Sequence, residues 1–418
     1  MKRLFVKILN DQRMSAFCDQ GVVSASNFVT MLIVARQLTH EEFGLFSLAM
    51  MSMLFLGNLH RAVFTQPMNI LGASELQSQL AGRMLALLKA HWFAIPIAFA
   101  VLAVASFCFY PQMLLLTSVA IYVASFFLQE MLRRYWYTLG RSSDALRNDL
   151  ISYAGQVALL LLVALVWKID GSIAFFIMAV TSIVAFMVGL NTLDLIESAD
   201  HRAMRSVLVE QWGLAKWMLL TVLAVWGAGQ VYPFLMAPLG AVAVASFSAC
   251  RNLLNALGVV IQSIGNYLPA QAAKLIQNGG KQALRRHILR TLSQALVLAA
   301  VFLSTIEVFA EPLLHLVYAG RYDSAAPLLK ILAWGTVSTL MATIMGCYSL
   351  AMEDSRSGFF ANLGASAITF TVGLWFIKNH GADGAAMATA ISLATAALLQ
   401  GILVLVHFRR LPSRAIHA

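Results

Sequence analysis

The sequence predicts an all-α integral membrane protein with twelve transmembrane helices. Three observations predict it. Hydrophobic residues fill 60% of the 418 positions and charged residues 11%, against roughly half and a quarter in soluble domains. The charges are clustered, so uncharged runs reach the ~20 residues a helix needs to cross a ~30 Å hydrocarbon core. The Lys and Arg residues fall in the short segments between those runs.

Breaks at charges, prolines and glycines place the helices at 16–36, 43–65, 92–109, 113–131, 149–167, 172–193, 214–236, 240–266, 289–307, 330–352, 357–377 and 384–406. The stretch from Met1 to Arg13 carries four basic side chains. No small-residue cleavage site follows it, so the first helix is expected to be its own insertion signal. Two uncharged runs, Trp92 to Gln129 and Trp217 to Cys250, are too long for one crossing. They break at Tyr110-Pro111 and at Ala237-Pro238-Leu239-Gly240, and each predicts a helical hairpin. From Glu307 to Lys330, Pro312, His315, Tyr318 and Tyr322 predict a turn lying on the surface.

Most of the 29 Lys and Arg fall on one side of this topology, including Arg83, Arg133, Arg134, Arg202, Lys281, Arg285, Arg286, Arg409, Arg410 and Arg414. Arg36, Lys168, Arg321, Lys330 and Lys378 fall on the other. The excess of positive residues inside predicts a multi-pass protein with both termini in the cytoplasm. The net charge of +10 is thereby explained by topology, with no soluble basic face for nucleic acid. Cys18, Cys108, Cys250 and Cys347 lie in apolar stretches without metal or redox spacing. No metal or other cofactor is expected.

Many membrane carriers consist of two related halves, and residues 1–200 and 201–418 show an echo. Phe46 precedes Pro67 much as Phe247 precedes Pro269, and Tyr137-Thr138-Leu139-Gly140 parallels Tyr348-Ser349-Leu350-Ala351. Six helices in each of two lobes is the natural division.

The N-terminal third carries Phe17, Asp19-Gln20-Gly21, Ala35-Arg36-Gln37-Leu38, Glu42-Phe43-Gly44-Leu45-Phe46 and Gln66-Pro67. It resembles the polysaccharide flippases of the multidrug/oligosaccharidyl-lipid/polysaccharide exporter superfamily, most clearly over about residues 15–75. In that family Leu-Gly usually follows the arginine, whereas Thr39 follows Leu38 here. The resemblance implies two lobes around a central cavity. It also implies a cargo: an isoprenoid-linked oligosaccharide carried with its pyrophosphate across a bacterial inner membrane. Membrane lipid, a polysaccharide polymerase and a chain-length regulator would be its partners.

A charge at mid-bilayer costs at least ~2.5–3.5 kcal/mol and faces a partner or a wet cavity. Arg251 lies eleven residues after Gly240, about half a bilayer deep, with Asn252 and Asn255 nearby. It is the first candidate for a bidentate contact to pyrophosphate, the alternative being an internal ion pair or packing contact. Arg61, beside His60, is the second, or else snorkels to the interface. Asp19 is a proton-coupling candidate or the neutralising partner of an arginine. Spacing along the first two helices predicts the latter, as an Asp19–Arg61 contact. Arg133 and Arg134, followed by Tyr135-Trp136-Tyr137, predict either a mouth gathering an anionic head group or plain anchoring with an aromatic belt. Gln20, Gln156, Gln230 and Gln262 suit sugar hydroxyls or interhelical bonds equally. Pro96, Pro233 and Pro269 are candidate hinges.

Gly279-Gly280-Lys281 lacks the rest of a phosphate-binding loop, so ATP hydrolysis is not expected. The leading reading is a flippase working by alternating access. A cation-coupled exporter of small amphipathic molecules is the alternative. A membrane-embedded sugar polymerase or glycosyltransferase would need a catalytic site in a sizeable outer loop, and none is present.

Overall fold

A computed structural model describes residues 12–73, 75–109, 113–191, 202–352, 354 and 356–410. Every regular element among them is helical. In chain order the helices are α1 (Gln12–Gln37), α2 (His40–Gly72), α3 (Gln77–Phe109), α4 (Met113–Thr138), α5 (Ser142–Val166), α6 (Gly171–Leu190), α7 (Met204–Gln230), α8 (Ala241–Ile276), α9 (Gly280–Tyr318) and α10 (Ala326–Ala351). The last span, Arg356–Arg410, is 55 residues long. At 1.5 Å per residue it would measure about 80 Å, far more than one crossing needs. The chain turns inside it at Gly381, where φ is 58°, a left-handed conformation that glycine adopts at little cost. The span is therefore two helices, α11 (356–380) and α12 (381–410), which makes twelve candidate crossings among the described residues.

Large apolar side chains point outward, as Leu162, Leu165 and Val166 do on α5 at 61%, 83% and 74% exposure. Such a surface has no place in water and matches hydrocarbon. The chain divides into two contact-dense units, Met1–Val222 and Leu223–Ala418.

In unit 1 the core gathers Met84, Leu87, Met131, Leu132, Trp136 and Val207. Gly189 lets α6 approach this core, since a Cβ there would come within 2.5 Å of the Leu132 side chain and 2.6 Å of Trp136. Thr39 has its own local reason: its hydroxyl accepts from the Glu42 amide while the Glu42 carboxylate accepts from the Thr39 amide, a capping box that starts α2. Three helices carry a π-helical turn inside their span, at Arg61–Thr65, Leu150–Ala154 and Trp226–Gln230, and a fourth lies at Thr369–Gly373. In unit 2 the core gathers Leu268, Leu284, Leu340, Ile344 and Tyr348.

Several helix ends differ from expectation in one direction. α3 starts at Gln77 rather than 92, α4 continues to Thr138 rather than 131, α5 starts at Ser142 rather than 149, and α9 runs from Gly280 to Tyr318 rather than 289–307. Charges marked these ends in the sequence, yet Lys, Arg and Glu continue a helix about as well as Leu or Met does. The expected turn after Glu307 is correspondingly short, running through Ala319 and Gly320 at positive φ. Lys330 ties the two flanking helices by an ion pair to Glu307 at 2.7 Å. The turn at 237–240 appears as expected, a short 3-10 segment ending at Gly240 with φ 106°. The Tyr110-Pro111 break, the N-terminal basic stretch, Cys108 and Arg414 lie outside the described residues or side chains.

Candidate functional site

The polar interior of unit 1 is built on one face of α4. Glu130, Arg133, Arg134 and Tyr137 recur at helical spacing, three, four and seven residues apart, and so project together. α1 adds Asp19, α2 adds Arg61 and α5 adds Asp149. Arg133 is the hub. Its guanidinium contacts Asp19 at 2.7 Å, Asp149 at 2.7 Å and Glu130 at 3.5 Å. Glu130 in turn holds Arg134 at 2.8 Å and Arg61 at 3.3 Å. Tyr137 donates its hydroxyl to Asp19. Asp19 and Asp149 are wholly buried and Glu130 is nearly so, with only Arg61 substantially exposed.

Three guanidinium groups thus face three carboxylates. Burying any one of these charges alone would cost several kcal/mol, and mutual pairing is what makes the set tolerable. Amides and hydroxyls complete it: Gln129 donates to Asp149 at 3.3 Å, Ser152 donates to Gln129 at 2.9 Å, and Gln156 donates to Thr30 at 2.7 Å.

The Asp19–Arg61 pairing expected from spacing is not formed. Asp19 takes Arg133 and Arg61 takes Glu130, because α1 packs chiefly along α5 and only slightly against α2. Depth alone did not set the partner. Nor do Tyr135 and Trp136 form an interfacial belt, since both are at most 2% exposed. Glu130 and Asp149 were missed altogether. The signal was present in the sequence, where Glu130 stands three and four residues before Arg133 and Arg134 within an apolar run.

Beside this network His60 and His91 approach with their Nε2 atoms 2.6 Å apart. The His60 ring stacks on Phe127 at 4.2 Å. Away from it, fully buried Arg83 pairs with Glu75 at 2.5 Å and Glu210 at 3.1 Å, and Arg202 with the same two carboxylates at 2.7 and 3.0 Å. Glu75 lies between helices, and the hydrogen bond from Arg83, with the charge of Arg202 added, holds its carboxyl below the usual range.

Unit 2 is organised differently. Tyr232, Thr369 and Ser392 share hydroxyl hydrogen bonds of 2.8–3.3 Å. Arg251, on α8, donates one Nη to the Gln230 amide oxygen and sits 5.9 Å from the Phe247 ring. Its other Nη is buried without a partner. Among the described residues, no carboxylate lies within ion-pair distance of it. Asn252 donates to the Tyr318 hydroxyl at 3.3 Å, whereas Asn255 is exposed, one turn from Arg251. Gln230 therefore serves as the partner of a cation.

A family model described as MatE matches residues 218–376. No curated protein matches the sequence. Solved structures of low identity share the fold. An inward-facing multidrug resistance MATE family transporter of the MOP superfamily is 12% identical, with 94% of this chain and 95% of that one covered and a TM-score of 0.65. The lipid II flippase MurJ, in an inward closed conformation, is 12% identical over 96% of this chain and 89% of its own, with a TM-score of 0.71. A MOP superfamily transporter from Pyrococcus furiosus, described as having a binding pocket of reverse polarity, is 12% identical over 95% and 94%, with a TM-score of 0.66. The chain has the fold of these transporters.

Proposed function

We propose that this protein is a transporter that moves an isoprenoid-pyrophosphate-linked oligosaccharide across a bacterial inner membrane by alternating access. The observation that carries the reading is Arg251, a cation within a membrane helix that no carboxylate among the described residues neutralises and whose second Nη lacks a partner. A guanidinium in that state is suited to a bidentate anion such as a pyrophosphate, and exposed Asn255 on the same helix offers an amide to sugar hydroxyls. On unit 1, partly exposed Arg61 is a separate candidate for an anion contact. Arg133 and Arg134 enter this reading as supports of Arg61 through Glu130. The likeness to a lipid II flippase supports a lipid-linked cargo. A polysaccharide polymerase and a chain-length regulator would act on the product.

The test uses proteoliposomes loaded with a fluorescent polyprenyl-pyrophosphate oligosaccharide. Arg251→Ala should abolish its movement while folded protein is unchanged; undiminished movement would remove Arg251 from the site. Sidedness follows from the same reading, with both termini cytoplasmic. Reporters fused after Gly171 and Gly381 should read outside, and those after Arg147, Gly280 and Arg414 inside, whereas a cytoplasmic signal at Gly171 would invert the assignment.

A second reading is a cation-coupled exporter of small amphipathic molecules, favoured by the buried carboxylates of unit 1. Asp19 is their coupling candidate, since a proton added there would release one of the three carboxylates that hold Arg133. Uphill export of an amphipathic dye cation on a proton gradient, lost in Asp19→Asn, would establish this reading over the first.

A further inference from the structure

Three segments of unit 2 meet where α9 begins and α12 ends. Lys281 donates to the Arg409 carbonyl at 3.0 Å and lies over the Phe408 ring at 5.2 Å. His407 pairs with Asp354 at 3.1 Å, and the Arg356 amide donates to the same carboxylate at 3.1 Å. Leu284, Ile288, Met352 and Phe408 pack beneath in one cluster.

The surface over that corner is strongly basic. Arg285, Arg286, Arg290, Arg356, Arg409 and Arg410 are all exposed. The acidic residues of these segments are Asp354, already engaged with His407, Ser357 and Arg356, and Glu353, outside the described residues.

Along α9 the basic face runs directly into an apolar one. Arg285, Arg286, Leu289, Arg290, Leu296, Val297 and Val301 recur at steps of three, four and seven residues, which keeps them on one side of the helix. Leu289, Leu296, Val297 and Val301 are 57–65% exposed. A soluble anion would need only the arginines. The order of guanidinium groups first and then about 15 Å of exposed aliphatic side chain fits a molecule with a phosphate at one end and acyl chains at the other.

We propose that this face is a binding surface for an anionic phospholipid, the phosphate held by Arg285, Arg286 and Arg290 and the acyl chains lying along Leu289, Leu296 and Val297. Surface cations each add to attraction for anionic headgroups, and guanidinium suits phosphate in particular. The site is separate from Arg251 and does not depend on the transport reading.

The test places the full chain in nanodiscs of phosphatidylcholine with phosphatidylglycerol at about 3:1, and compares by native mass spectrometry the phosphatidylglycerol retained. Replacing Arg285, Arg286 and Arg290 together by Gln should cut retention about tenfold, while Lys378→Gln, an exposed cation near the other end of α11, should leave it unchanged. The three side chains are exposed, so melting in pure phosphatidylcholine should match wild type. As a check independent of any variant, wild-type retention should fall when salt is raised from about 0.05 to 0.5 M, because exposed charges are screened over that range. Equal retention by the triple variant, or no response to salt, overturns the proposal. Displacement of phosphatidylglycerol by an equimolar polyprenyl pyrophosphate also overturns it, by assigning the face to the cargo.

Discussion

Units 1 and 2 bury polar groups by opposite means. Unit 1 brings Asp19, Arg61, Glu130, Arg133, Arg134 and Asp149 together from four helices, and the charges cancel within the set. Unit 2 has hydroxyls at Tyr232, Thr369 and Ser392 and, at Arg251, a guanidinium answered by an amide. The tyrosines that echo one another in the sequence show the same contrast. Tyr137 donates to the Asp19 carboxylate, whereas Tyr348 shares a hydrogen bond with His287 at 2.8 Å and donates to Thr291 at 2.9 Å. Charge that is balanced within the set contributes structure, and a charge left over can serve a ligand. Arginines in the two units should therefore fail differently when removed.

The largest effect is expected at the hub. Arg133→Gln leaves Asp19 and Asp149 buried without a guanidinium, and breaking a buried pair costs about 3–5 kcal/mol. Folded yield and detergent melting temperature should both drop sharply. Arg251→Gln removes a charge that has no ionic partner among the described residues, so its stability should stay within about 1 kcal/mol of wild type while transport is lost. Equal destabilisation by the two substitutions would erase the distinction drawn between the units.

A double-mutant cycle sharpens this, with a smaller expected effect. Asp19→Asn combined with Arg133→Gln should recover about 0.5–3 kcal/mol relative to the sum of the single changes, as contacting groups do. Asp19→Asn with Arg61→Gln should be additive, since Arg61 answers to Glu130. Recovery in the second pair and not the first would restore the contact inferred from spacing.

The success and failure of the sequence reading follow the same line. Twelve crossings were legible because hydropathy reports the solvent around each helix, and Gly240 and Gly381 punctuate the chain at positive φ. Arg251 was legible as an intramembrane charge because nothing near it in sequence neutralises it. The network in unit 1 was not legible. Arg133 and Arg134 sit near a helix end, where positive residues ordinarily anchor a membrane protein, so their charges read as topology. Their partners Asp19 and Asp149 lie 114 residues before and 16 residues after Arg133, and one sequence contains no record of which distant residues meet. Arg83 was taken for a loop residue for the same reason, although it is wholly buried between Glu75 and Glu210.

The smallest expected effect concerns two carboxylates outside the membrane spans, one in each unit. Glu75 is held below the usual carboxyl range first by its hydrogen bond from Arg83, with the charges of Arg83 and Arg202 adding to it. At Asp354 burial acts in the opposite sense, yet hydrogen bonds from the Ser357 hydroxyl and the Ser357 and Arg356 amides, with His407 nearby, hold it below that range too. A carboxyl with a folded pKa below its unfolded one adds stability that is complete above the unfolded value, about 4, and is lost as pH falls through the folded value. Stability attributable to either group should therefore be flat from pH 7 to about 5 and decline below about 4. Glu75→Gln and Asp354→Asn should each flatten part of that acid limb in detergent melting curves. Salt separates the two through the partly exposed Arg202, whose charge at Glu75 is screened, whereas buried Arg83 and the hydrogen bonds at Asp354 are screened little. Raising salt to about 0.5 M should shrink the Glu75 contribution and leave that of Asp354 nearly intact. The reverse ranking would show that the charge-paired and hydroxyl-paired styles of the two units do not extend to their surface connections.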